Sequence, residues 1–364
     1  MIIGVPKETK PDEYRVALLP VGAHLLAADK HTVLVETNAG LDSGFSDEEY
    51  AAAGAQIVDN ADAIYSDADM VVKVKEPQAA EMPKLRPGQI LFCYFHFASS
   101  RELTADCLKS GITAVAYETL VDQRGRLPLL TPMSEIAGKM SVQEGAKYLE
   151  RPTLGHGILL GGVPGVSPAN VLILGGGVVG INAAHVAAGF GAHVVIMDID
   201  INRLRHIDEI MPANVTTIYC DPHSVRSWAI QADLIVGAVL VPGGRTPVLI
   251  NKPLLSKMKT GSVIVDVCVD QGGCVETCRP TSHHEPTYVV DGVVHYCVTN
   301  IPGAVPRTSS RALCNATLPY VRSLAELGVE EFAKVDAGHR TAINMANGDI
   351  TCEAVAKVFP DLAG

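Results

Sequence analysis

The chain has 364 residues, room for two or three domains at roughly 150 residues each, so a single small module is excluded. Hydrophobic residues make up 48% and charged residues 19%, which excludes a disordered or fibrous chain. A formal net charge of −11 disfavours phosphate backbones and anionic membrane surfaces, so no nucleic-acid or membrane role is expected.

From the start, Met1–Glu8 shows no basic segment leading into an apolar stretch, so the expected compartment is the cytoplasm. Short β-branched runs then alternate with helical patterns. The spacing predicts a strand at Ile2–Val5, a helix at Leu18–Lys30, a strand at His31–Glu36 and a helix near Asp47–Gly54. Strands follow at Met70–Lys75 and Gln89–His96, then a helix at Arg101–Lys109 and a strand at Ile112–Glu118. That rhythm predicts a mostly parallel sheet wrapped by helices. A charged turn at Asp122–Arg126 leads into a long helix at Ser134–Glu150, and a domain hinge is expected there.

Between Pro152 and Met197 there is no Asp, Glu, Lys or Arg, yet Gly161, Gly165, Gly175, Gly189 and other glycines cut the run into pieces too short to cross a membrane. A buried strand at Val171–Leu174 and a helix at Val178–Phe190 fit better. A second alternation continues with a strand at His193–Asp198, a helix at Arg203–Ile210, and strands at Val215–Tyr219, Leu234–Val239 and Val263–Val269. Helical patterns at Leu313–Leu327 and Ile350–Val358 are expected to pack back on the first domain. The fold class is therefore α/β, with two Rossmann-like domains: residues 1–130 plus 307–364, and residues 131–306. Nine cysteines are scattered without a CxxC pair, so they are read as reduced and no metal is expected.

The segment Val171-Leu-Ile-Leu-Gly175-Gly-Gly177-Val-Val-Gly180 places a GxGxxG motif between a predicted strand and a predicted helix. Glycines there permit a tight turn and let backbone N–H groups approach a pyrophosphate at a helix N-terminus. The next strand ends at Asp198, where a carboxylate can accept from ribose hydroxyls and repel the additional phosphate of NADP. NAD is the expected cofactor, held by residues 131–306. Asp200 is a rival for the ribose.

In open α/β sheets ligands bind beyond the carboxyl ends of the strands. Lys75, His96 and Asp270 close predicted strands or their extensions, and Arg15 lies in the loop after the first strand. Singly, Arg15 and Lys75 also read as solvated charges, His96 as a core histidine and Asp270 as a turn residue. Together they suit a small anionic substrate that exchanges a proton and a hydride. A guanidinium grips a carboxylate in a bidentate fork. Lys75 can polarise a carbonyl, and an imidazole at His96 can exchange protons near neutral pH. Asp270 can orient a water or stabilise a cationic imine; residue types alone leave both roles open.

With these residues in view, the chain resembles the bacterial alanine dehydrogenases essentially end to end. The resemblance rests on Ile3–Glu8, Arg15–Pro20, Lys73–Pro77, Thr131–Gly138, Leu160–Gly165, Asp266–Glu276 with its Asp-Gln-Gly-Gly-Cys core, and Asn300–Thr308. It implies NAD-dependent, reversible oxidative deamination of L-alanine to pyruvate and ammonium. It further implies substrate binding by Arg15 and Lys75, acid/base work by His96 and Asp270, a homohexamer, and an active site in a cleft between the two domains. Implied NAD contacts are Ser134, Val178, Val179, Asp198, Arg203, Val239, Leu240 and Arg279, with Val267, Cys268, Val269 and Asp270 in one segment and Val298, Thr299, Asn300 and Ile301 in another. Two positions depart from the pattern: Cys220 stands beside the adenine where a serine is common, and Ile301 replaces a methionine. The stretch Ser323–Leu327 lacks the histidine of a magnesium site found in some relatives, so that metal is not carried over. Alternatives are the NAD-binding component of a transhydrogenase, a related amino-acid dehydrogenase such as one producing saccharopine or lysine, and a catalytically silent NAD-binding regulator.

Overall fold

A computed structural model describes residues 1–241 and 245–363. The chain forms two compact units, Met1–Met133 with Gly303–Gly364, and Ser134–Pro302. The strands in chain order are β1 (Ile2–Val5), β2 (Thr32–Glu36), β3 (Gln56–Val58), β4 (Met70–Lys75), β5 (Ile90–Tyr94) and β6 (Thr113–Ala116). Then come β7 (Asn170–Leu174), β8 (His193–Asp198), β9 (Val215–Tyr219), β10 (Leu234–Gly237), β11 (Val263–Asp266), β12 (Thr287–Val290) and β13 (Val293–Tyr296), and finally β14 (Ile343–Ala346) and β15 (Asp349–Ile350).

The first unit holds an eight-stranded sheet in the order β15-β14-β6-β5-β4-β1-β2-β3. Strands β1 to β6 run parallel, and the β14–β15 hairpin closes the β6 edge antiparallel. The second unit holds a seven-stranded sheet, β12-β13-β11-β10-β7-β8-β9, parallel except for β12 at its edge. Central strands such as β4 (MVVKVK) and β7 (NVLIL) are buried along nearly their whole length, as expected where helices cover both faces. Helix starts are capped locally. Ser46 forms a capping box with Glu49, while Asn60, Ser100 and Asp221 accept from the first-turn N–H groups of the helices that follow them.

Several elements differ from the sequence expectation. The strand expected over Val263–Val269 stops at Asp266, whose carboxylate accepts from Cys268 N at 3.1 Å and Cys274 N at 2.9 Å and turns the chain. The strand expected to reach His96 ends at Tyr94. The helix expected over Ile350–Val358 is divided, because Asn347 and Gly348, with φ of 55° and 82°, fold Ile350 back into β15; the helix itself spans Glu353–Val358. The late helix runs Pro306–Val335 and is broken at Gly328, whose φ of 72° lies outside the helical region. Among the described residues no helix is long and apolar enough to cross a membrane.

Candidate active site

The glycine loop joins β7 to the helix Val178–Gly189. At Gly175, with φ 106°, a Cβ would lie 2.5 Å from the Ala238 carbonyl oxygen, and at Gly180 it would lie 1.9 Å from the Gly175 oxygen. Packing therefore demands glycine at both positions. At Gly177 a Cβ would meet nothing within 4 Å, so the protein itself imposes no such demand there. The helix that Gly177 begins has no side-chain cap, which leaves its positive end open for an anion. These features fit the pyrophosphate of a nicotinamide dinucleotide. Gly180→Ala is thus expected to lower the melting temperature. Gly177→Ala is expected to keep the fold and weaken binding of a nicotinamide dinucleotide; thermal unfolding checks the first effect and calorimetric titration the second.

Asp198 ends β8. Its Oδ2 accepts from Gly176 N at 2.7 Å and its Oδ1 from Asp200 N at 2.8 Å, which ties it directly to the glycine loop. A carboxylate has about four lone-pair directions, so acceptor capacity for ribose hydroxyls remains. Asp200 instead caps the helix Ile201–Ile210 through Asn202 N and Arg203 N. Both carboxylates keep acceptor capacity, and Asp198 is the one hydrogen-bonded to the glycine loop.

The remaining nucleotide candidates lie around the same sheet. Ser134 is half-buried in the helix Thr131–Tyr148, while Val178, Arg203 and Leu240 are exposed and Val179 and Val239 half-buried. The Cys220 N–H donates to the Asp198 carbonyl at 2.9 Å. Arg279 lays its guanidinium 4.4 Å from the centroid of the Tyr288 ring, which restrains its direction. Cys268, Val269, Val298 and Ile301 have buried side chains, Val267 and Asn300 are half-buried, and Thr299 is exposed. Cys268 Sγ donates to Asp266 at 2.8 Å, a fully buried carboxylate that the sequence reading did not single out. Asp270 lies four residues beyond the end of β11, exposed in the short 3-10 turn Val269–Gln271.

In the first unit, three of the predicted residues converge on the ends of β4 and β5. Lys75 is the last residue of β4 and pairs in register with Tyr94, the last of β5. His96 follows two residues later, its ring stacked with that of Tyr94 at a centroid distance of 5.9 Å and an interplanar angle of 5°. The charge of Arg15 acts on both Lys75 and Tyr94. The imidazole-bearing residue is exposed rather than in the core, and Arg15 is only 3% exposed, so neither bland alternative describes them.

Arg15 is held by Glu13, which the sequence reading passed over. Its Nε donates to Glu13 Oε1 at 2.6 Å, Nη2 donates to Oε2, and Nη1 lies 3.0 Å from Met133 Sδ. One edge of the guanidinium thus fixes the direction of the residue. Burial opposes the Glu13 charge, but Arg15 outweighs it and holds this carboxyl below its ordinary range. Burial, then the charges of Arg15 and Lys10, lower the Lys75 ammonium below the usual lysine value, and no ion pair forms with it among the described residues. Such a group is suited to polarising a ligand. Lys73, one alternation away, points into the core between Glu81 at 2.8 Å and Glu8 at 3.3 Å. Burial pushes the Glu8 carboxyl up to about 7 despite the Lys73 charge.

Residues 4–137 match the profile of the alanine dehydrogenase/PNT N-terminal domain, and residues 141–353 match that of the C-terminal domain. The chain belongs to the alanine dehydrogenase/PNT family. It is 51% identical over 359 residues to an alanine dehydrogenase of Halomonas elongata, which covers 99% of this chain and 97% of the relative. An alanine dehydrogenase of Bacillus subtilis is 50% identical over 358 residues, covering 98% and 94% of the two chains. A solved L-alanine dehydrogenase superposes with a TM-score of 0.96 at 51% identity over 100% of both chains. A transhydrogenase from Sinorhizobium meliloti, 24% identical with a TM-score of 0.81 over 97% of this chain and 100% of the other, shares the fold. The family and its Rossmann-type unit imply a nicotinamide cofactor.

Proposed function

We propose that the chain is an NAD-linked L-alanine dehydrogenase that interconverts L-alanine and pyruvate plus ammonium. The observation that carries this reading is the grouping of Arg15, Lys75 and His96 around Tyr94 at the ends of two parallel strands, in a chain of this family.

The roles follow from the side chains. Arg15, oriented by Glu13, fixes the substrate carboxylate. Lys75 donates to the carbonyl oxygen and stabilises negative charge as it develops there. In the amination direction ammonia adds to the pyruvate carbonyl carbon, and loss of water gives an imine. Bound as NADH, the cofactor supplies the hydride that reduces the imine carbon. His96 moves the proton at the substrate oxygen. Asp270 handles the protons of the amine and of the departing water. The carboxylate of Asp198 at the glycine loop favours NAD over NADP, whose extra phosphate it would repel. The family resemblance supports a homohexamer acting in the cytoplasm.

Purified protein given L-alanine and NAD should form NADH with equimolar pyruvate and ammonium, and much less with NADP. NAD binding without any NADH formation from L-alanine would overturn the assignment.

A further inference from the structure

β4, which ends in Lys75, and β5, which ends at Tyr94 two residues before His96, outlast their neighbours. β1, beside β4, ends at Val5, and β6, beside β5, ends at Ala116. The main-chain N–H groups beyond those points would lose their ladder acceptors. In both places a glutamate following the shorter strand replaces them. Glu8 Oε1 accepts from Val74 N at 2.6 Å and from Lys75 N at 3.4 Å, where the β4–β5 register shifts by one residue. Glu118 accepts from Phe95 N at 3.2 Å and from His96 N at 2.5 Å. His96 has φ 52° and ψ 42°, a left-handed conformation that few residues other than glycine adopt without support.

We propose that Glu118 and Glu8 are positioning residues, whose carboxylates clamp the main chain at His96 and Lys75 and so aim those side chains at the substrate. The proposal rests on the reading above, in which His96 and Lys75 act on pyruvate. It assigns the effect to the reach of the side-chain oxygen rather than to its charge.

Two substitutions separate reach from charge. Glu118→Gln keeps one acceptor oxygen, without the charge, for the shorter contact to His96 N and gives up the second, 3.3 Å from Phe95 N, and its kcat is expected to fall less than that of Glu118→Asp. Glu118→Asp keeps the charge but withdraws it by one methylene, and kcat is expected to fall on the order of 10- to 100-fold, as for other small misplacements of a reacting group. NADH affinity, read by titration, should be the same in both. Glu8→Asp should lower kcat/KM for pyruvate about tenfold for the same reason. A crystal structure of Glu118→Asp is expected to show His96 outside the left-handed region. Parental kcat in Glu118→Asp, an equal loss in Glu118→Gln, or an unmoved His96 in the crystal would each overturn the proposal. A parent enzyme without ammonium-dependent turnover would overturn the functional reading instead, and the crystal comparison would still decide the clamp.

Discussion

Arg15→Lys is expected to lower kcat/KM for pyruvate on the order of 10²-fold while leaving NADH affinity unchanged. Lysine preserves the positive charge but not the planar fork, and at least two charge-assisted hydrogen bonds to the substrate carboxylate, each worth roughly 1.5 kcal/mol or more, are compromised. The structure adds a second consequence. Because Arg15 and Glu13 are both buried and paired, removing the cation altogether takes the strongest counter-charge from a buried carboxylate. Arg15→Leu is therefore expected to destabilise the fold by about 3–5 kcal/mol, whereas Arg15→Lys keeps a charge beside Glu13 and should fold. Thermal unfolding of the two variants, read beside their pyruvate kinetics, separates binding from stability. Unchanged pyruvate kinetics in Arg15→Lys would remove Arg15 from the substrate site.

His96→Asn is expected to suppress kcat by a factor on the order of 10² to 10⁴, the usual contribution of a positioned acid/base group. Asparagine is the informative replacement because it tolerates the left-handed backbone at this position, while it cannot exchange a proton near neutral pH. His96→Ala should lose comparable activity and some stability as well, so the difference between the two isolates the backbone cost. NADH affinity should follow the parent in both. Near-normal turnover across pH in His96→Asn would move the proton chemistry elsewhere, with Asp270 the next candidate.

Much of the scaffold is legible in the sequence because its buried parallel strands are near-continuous apolar runs with sharp polar ends. β4, β8 and β9 begin and end where the pattern places them. The hairpins were not read, although their signals are present. Asn347-Gly348 and Asp291-Gly292 are two-residue turns with both φ values positive, joining β14 to β15 and β12 to β13. Strands of two to four residues are too short for an apolar pattern to draw notice, and the turn residues have to be read first. At the site, Lys75 and His96 stand out because each follows an apolar run. The groups that hold them do not. Glu8 and Glu118 meet Lys75 and His96 only because β1 lies beside β4 and β6 beside β5, a pairing across tens of residues that spacing along the chain does not report. Glu13 is the exception. Two residues from Arg15, it was close enough in sequence to be suspected as its partner.

The proposed activity is read most directly as the loss of NADH absorbance when purified protein is mixed with pyruvate and NADH, with and without ammonium. NADH loss should require both pyruvate and ammonium, with L-alanine as the product. NADH loss with pyruvate alone, giving a hydroxy acid in place of the amino acid, would contradict it.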